Sequence, residues 1–99
     1  MVSPLYLRRN RKIALKVFLK DLGSRFESSP FNKIQYTIKP NQLKKDTKIS
    51  QTKTGNVIKS FLDSKGKYYE TQKSYLGARY IIEVSREELE NWKEDFLSR

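Results

Sequence analysis

The chain has 99 residues, the size of a single domain, and carries 21 Lys and Arg against 11 Asp and Glu, a formal net charge of +10. It contains no Cys and no His, which excludes disulfides, thiolate catalysis, histidine triads and the usual zinc sites. No apolar run approaches the ~18 residues of a membrane span. We therefore expect a cytoplasmic, nucleoid-associated or otherwise intracellular protein that is not an enzyme, uses no metal or cofactor, and binds a polyanion.

The charge is unevenly distributed along the chain. Residues 1–82 hold 18 basic and 5 acidic side chains, whereas residues 83–99 hold 3 basic and 6 acidic ones. This asymmetry predicts a basic surface for a polyanion and a C-terminal segment that stays away from it. We divide the chain into a basic arm (1–9), a folded domain (10–84) and an acidic C-terminal helix (85–99).

The first predicted element after the arm is an amphipathic helix over residues 10–26. Its apolar positions recur at steps of three and four residues, whereas most lysines fall between them. The Ser28-Ser29-Pro30 run ends this helix. Alternation of Ile34, Tyr36 and Ile38 with polar residues then predicts a short strand.

Two helices joined by a tight turn are predicted next. Pro40 suits the first turn of a brief helix over 40–46, and residues 47–50 form the turn, with Ser50 as N-cap. The following helix covers 51–64, and Gly66 supplies the left-handed conformation that closes it.

The last part of the chain predicts a β-hairpin and a helix. Strands over 67–73 and 78–84, rich in Tyr, Ile, Thr and Val, flank a tip at 74–77. Ser85 and Glu88 then fit the capping-box pattern at the start of a helix over 86–97. The fold class is α+β, in the order helix, strand, helix, helix, strand, strand, helix.

The stretch KISQTKTGNVIKSFLDSKGKYYE, within this order of elements, resembles the recognition-helix segment of the winged helix-turn-helix family of DNA-binding domains. The resemblance spans residues 10–84 and identifies no subfamily. It implies a recognition helix in the major groove and a hairpin that acts as the wing. The residues expected to face the major groove are Gln51, Thr52, Lys53, Thr54, Asn56 and Lys59.

The side-chain chemistry independently favours contact with DNA. From Thr47 to Asp63 the only acid is Asp63 itself, so little would repel phosphate. Gln and Asn pair bidentately with adenine, Lys donates to guanine, and the Thr methyl contacts thymine. The alternative is an ordinary solvated helix face.

Thr54 and Gly55 depart from the family pattern, which favours an apolar residue and a better helix former there.

Further candidate contacts lie outside the recognition helix. The expected wing residues are Lys67, Lys73, Ser74 and Tyr75. The expected backbone and arm contacts are Arg8, Arg9, Arg11, Lys12, Lys44 and Lys48. For the wing the alternative is a hairpin whose lysines discourage aggregation, and for the arm it is a frayed basic terminus.

The apolar stripe of the C-terminal helix, Leu89, Trp92 and Phe96, is a candidate homodimer interface, since small DNA-binding proteins usually pair on two half-sites. The alternatives are that the first helix supplies the homodimer contact, or that the C-terminal helix packs on its own domain.

The sequence is compatible with three functions. The first is sequence-specific binding of double-stranded DNA by a small transcriptional regulator that represses by occluding a promoter, with no small-molecule or membrane ligand. The second is a sequence-tolerant binder in plasmid segregation, chromatin or RNA biology. The third is a protein-interaction module that docks an acidic partner.

Overall fold

The computed structural model describes residues 4–98, with the side chains from residue 9 onward. This part of the chain folds into four helices and one three-stranded antiparallel sheet. The helices are α1 (Pro4–Glu27), α2 (Pro40–Thr47), α3 (Gln51–Ser64) and α4 (Arg86–Leu97). The strands are β1 (Lys33–Ile38), β2 (Glu70–Ser74) and β3 (Gly77–Ser85), in the sheet order β1-β3-β2. The α+β class and the element order are confirmed, and they are compatible with a winged helix-turn-helix.

Helix α1 starts earlier than the sequence suggested. Residues 4–9, expected as an irregular arm, form its first turns, since Pro4 is tolerated at the start of a helix. The Arg8 side chain and residues 1–3, all assigned to the arm, lie outside the described residues. The predicted start of this helix at residue 10 is therefore wrong.

The core lies where the three long helices meet the inner face of the sheet. Phe18 of α1 packs between Tyr36 of β1, Phe61 of α3 and Trp92 of α4, with ring centroids 6.0, 6.2 and 6.3 Å away. Burial of aromatic rings of this size dominates the stability of a small domain. Four elements are thereby held in fixed positions around one side chain.

Two predicted caps are confirmed. The Ser50 hydroxyl accepts a hydrogen bond from the Lys53 amide at the start of α3. Ser85 and Glu88 form the reciprocal capping box of α4, at 3.1 Å in each direction. Gly66 has φ +63°, the left-handed conformation expected after α3.

Arg86, which the sequence did not single out, fastens the loop between α1 and β1. Its guanidinium donates to the carbonyls of Phe26, Ser29 and Phe31 at 2.8, 2.5 and 3.1 Å, and it stacks over the Phe26 ring at 5.1 Å. One of these carbonyls belongs to the last turn of α1, where backbone acceptors lack helical partners. The start of α4 thus fixes the end of α1.

Helix α4 packs on its own domain, one of the two alternatives for it. Leu89 and Trp92 are buried, at 3% and 5% exposure, and Phe96 is half-buried against the same core. The Trp92 ring meets Phe61 edge-on at 5.4 Å. Leu89 and Trp92 are therefore not accessible to a partner, because their apolar surface already contributes to the core, whereas a dimer contact at the half-buried Phe96 stays a prediction.

Candidate nucleic-acid interface

The outward side of α3 is a row of short polar and basic side chains. The exposed residues among its first ten positions are Thr52, Lys53, Asn56 and Ser60. Helix α3 buries the opposite side, through Ile58, Phe61 and Leu62. We call these four exposed residues the α3 outer face. Ser60 was missed by the sequence reasoning, although its spacing of four from Asn56 places both on one side of a helix.

Gln51, Thr54 and Lys59 were also expected on this face, but each contacts another part of the protein. Thr54 is fully buried, and its hydroxyl lies 3.2 Å from the Thr47 hydroxyl at the end of α2. The prediction that Thr54 faces outward is wrong. Position 54 lies four residues before Ile58, and this spacing places both residues on the buried side of the helix. The two buried hydroxyls therefore form a hydrogen bond with each other, since buried polar groups need such partners.

Gln51 connects α3 to the tip of the β-hairpin. Its Nε2 donates to the Leu76 carbonyl at 2.8 Å, and the side chain is only partly exposed. A Cβ at position 77 would lie 1.9 Å from Nε2, and the φ of +115° there also requires glycine. Gln51 and Gly77 together fix the position of the hairpin relative to the start of α3.

Gly55 has a packing reason that the sequence did not reveal. A Cβ at this position would lie 3.3 Å from Cγ of Pro40 at the start of α2 and 3.7 Å from the Tyr80 hydroxyl. The glycine lets α2, α3 and β3 approach closely, which offsets its low helix propensity.

The side of the hairpin that faces α3 carries no acid. In the register of β2 with β3, Thr71 lies opposite Tyr80 and Lys73 opposite Ala78, so these four share one face of the sheet. Lys59 of α3 places its ammonium 5.6 Å from the centroid of the Tyr80 ring. Glu70, the one acid of β2, lies opposite Ile81 and faces the other way. A surface without carboxylates therefore continues from α3 onto the hairpin.

The hairpin tip is short and exposed. The turn consists of Tyr75 and Leu76, which are 97% and 50% exposed. The Ser74 hydroxyl accepts from the Leu76 amide at 3.2 Å and donates to the Gly77 carbonyl at 3.1 Å. Ser74 thus shapes the turn, while Tyr75 and Leu76 extend from it.

Lys67 does not belong to the hairpin. Strand β2 begins only at Glu70, and Lys67 lies where the chain turns back after Gly66. Its ammonium bonds to both Glu88 carboxylate oxygens, at 3.0 and 2.8 Å. Burial alone would raise the pKa of Glu88, but the hydrogen bonds from Lys67 and Ser85 outweigh it and lower that pKa. The assignment of Lys67 to the wing is therefore wrong, since its charge is matched by α4.

The remaining predicted basic contacts are spread over α1 and the end of α2. Those described with side chains are all exposed: Arg9, Arg11, Lys12, Lys44 and Lys48. Lys48 is the only non-glycine residue with positive φ (60°) between residues 4 and 98, and it forms the turn between α2 and α3.

Comparison of the chain with protein-family models, curated proteins and solved structures gives no match. Among the described helices, none is both long enough and apolar enough to cross a membrane.

Proposed function

We propose that this protein binds double-stranded DNA as a winged helix-turn-helix, with α3 in the major groove and the β2–β3 hairpin as the wing. The observation that carries the proposal is the α3 outer face, which is polar, exposed and free of acids over its first three turns. The B-form major groove is about 12 Å wide and admits one helix. The only carboxylate of α3, Asp63, lies at its C-terminal end, away from the residues that would meet bases.

The residues of the outer face have side chains suited to direct readout. Asn56 can pair bidentately with adenine, Lys53 can donate to guanine, and the Thr52 methyl can contact thymine. Ser60 can donate to either a base or a phosphate. Such contacts each discriminate against a wrong base by about 1–3 kcal/mol.

The hairpin would contact the backbone beside the groove. Lys73 lies on the α3-facing side of β2, and Tyr75 extends from the tip. Because Gln51 bonds the tip to the start of α3, the wing and the recognition helix would approach DNA as one rigid unit. Binding then costs little conformational entropy.

The regulatory role rests on the family resemblance alone. A small protein that occupies a promoter blocks access by other proteins, so repression by occlusion is the role we propose. A homodimer on two half-sites would fit such a role, but its interface would lie outside Leu89 and Trp92.

The test is a selection of bound duplexes from a random pool, followed by mobility shifts with Asn56→Ala. We expect this variant to bind the selected sequence about 1–3 kcal/mol more weakly and to lose preference at one base position. Asn91→Ala is the matched control, because Asn91 is also an exposed helical asparagine but lies on acidic α4.

Three outcomes would contradict sequence reading. Equal loss with both variants would remove Asn56 as a base contact. Equal binding of selected and random duplexes would favour a sequence-tolerant binder. Absence of binding to any nucleic acid at low salt would favour docking to an acidic protein.

A further inference from the structure

Helix α1 carries a row of cations that the proposed interface does not use. Arg9, Lys12, Lys16 and Lys20 follow one another at steps of three and four residues, and all four are exposed. We call these residues the α1 stripe. Steps of this size place side chains on one side of a helix, about 6 Å apart along its axis.

None of these four cations has a carboxylate within ion-pair distance in the described part of the chain. Lys33, Lys65, Lys67 and Lys93, in contrast, each form an ion pair. Asp21 and Asp46 border a groove beside Lys16 and Lys20, but the Asp21 carboxylate accepts the hydrogen bond of the Tyr36 hydroxyl. The charge of the stripe is therefore available to a ligand.

The stripe and the α3 outer face point in opposite directions. Helices α1 and α3 touch through Phe18 and Phe61. At roughly 100° per residue, Lys16 and Lys20 lie about 160° from Phe18 around the axis of α1. Thr52 and Asn56 lie about 180° and 140° from Phe61 around the axis of α3. Each row thus faces away from the contact between the two helices.

A single duplex cannot occupy both rows without sharp bending. The described chain measures 45 × 37 × 24 Å along its principal axes, so even its smallest extent separates opposite surfaces by much more than the Debye length of about 8 Å at physiological salt. DNA is stiff over about 50 nm, so a duplex seated on α3 would run past the domain rather than around it. Two duplexes, in contrast, could bind on opposite sides with their phosphates screened from each other.

We infer that the α1 stripe binds the phosphate backbone of a second DNA duplex, so that one protein molecule bridges two duplexes. This inference rests on the proposed function for the first duplex and adds a second site of different character. The stripe offers lysine and arginine alone, with no amide or hydroxyl side chain among them, and the phosphate contacts that we infer for it carry no sequence information. Bridging would therefore be specific on one side and sequence-independent on the other.

The test uses a biotinylated duplex with the selected sequence on beads and a fluorescent duplex of random sequence in solution. The wild-type protein should retain the fluorescent duplex on the beads at low salt. Lys16→Gln with Lys20→Gln should lower this retention about tenfold, and the salt slope of retention should fall by about 1.8 because two phosphate contacts are lost. The same variant should shift the selected duplex in dilute solution as the wild type does.

The control is Lys33→Gln with Lys65→Gln, which changes the net charge equally at two exposed lysines that line one groove with no residue of α1. It should retain the second duplex as the wild type does. Circular dichroism melting should show that all three proteins are folded.

Two results would overturn the inference while leaving the proposed function intact. The wild type could shift a single duplex yet retain no second one. Alternatively, the stripe variant could retain as much as the wild type, as it would if a dimer bridged through two α3 faces. If the wild type shifted no duplex at all, the proposed function itself would fail, and the inference with it.

Discussion

Lys67 and Lys73 lie on the same stretch of chain but in different surroundings. Lys67 lies 2.8 Å from the Glu88 carboxylate of α4, and Lys65, just before it, lies 2.6 Å from Asp95. Lys73 projects from an exposed edge strand, on the side that carries no acid. The acids of α4 thus neutralise Lys65 and Lys67, whereas Lys73 lies on a side of the hairpin without carboxylates. The comparison teaches that net charge alone does not locate a binding surface, because part of it stabilises the fold.

The largest change in stability is expected from a substitution of Arg86, at the start of α4. Arg86→Ala should lower the free energy of unfolding by about 3 kcal/mol, because it removes three hydrogen bonds from a charged donor, of whose acceptors only the Phe26 carbonyl is also bonded to the Ser29 amide. Urea denaturation measures this change. Arg86→Lys should recover little of the loss, since an ammonium cannot match the planar fork of donors. Full recovery by lysine would show that only the charge matters there.

A smaller change in the free energy of unfolding should distinguish a threonine on the buried side of α3 from one on its exposed side. Thr54→Val should destabilise the fold by about 1 kcal/mol, because the buried Thr47 hydroxyl loses a partner. Thr52→Val changes the same residue type on the exposed side and should leave the free energy of unfolding within about 0.5 kcal/mol of wild type. Thermal melts of both variants check this. A larger loss with Thr52→Val would mean that the outer face is not solvent-exposed.

A third prediction compares the substitution of Lys73 by glutamine with that of Lys67. Lys73→Gln should weaken binding to every duplex sequence alike and reduce the salt slope of binding by about 0.9, the loss of one phosphate contact. Lys67→Gln should leave that slope unchanged and lower stability slightly instead. Mobility shifts over a range of salt concentrations measure both. A loss of slope with Lys67→Gln would place DNA near α4.

The smallest expected effect is on the pH dependence of stability. The Glu88 pKa is lowered in the folded protein, so its ionised form stabilises the fold above the unfolded value of about 4.3, and this contribution is lost as the pH falls below it. The wild type should therefore lose more stability between pH 7 and pH 3 than Glu88→Gln does. Parallel urea titrations at the two pH values make the measurement. Identical losses would show that the ion pair with Lys67 adds nothing.

Much of the fold could be predicted from local patterns. The capping box at Ser85, the cap at Ser50 and the left-handed Gly66 depend only on neighbouring residues, and each is confirmed. The candidate site was harder to predict from the sequence. Whether a residue of α3 lies on the exposed or the buried side depends on contacts with residues distant in sequence. Thr54 is buried against α2, and Gln51 bonds to a hairpin 25 residues later. The ion pair of Lys67 with Glu88 joins residues 21 apart, which no local pattern reveals.

The central claim is that α3 and the hairpin, rather than α4, contact DNA. The most direct test is a titration of the isotopically labelled protein with the selected duplex, followed by NMR of backbone and side-chain amides. We expect the largest shifts at Thr52, Asn56 and Ser60, with smaller ones at Lys73 and Tyr75 and none along α4. Shifts concentrated on α4 and β1, with the amides of α3 unmoved, would contradict it.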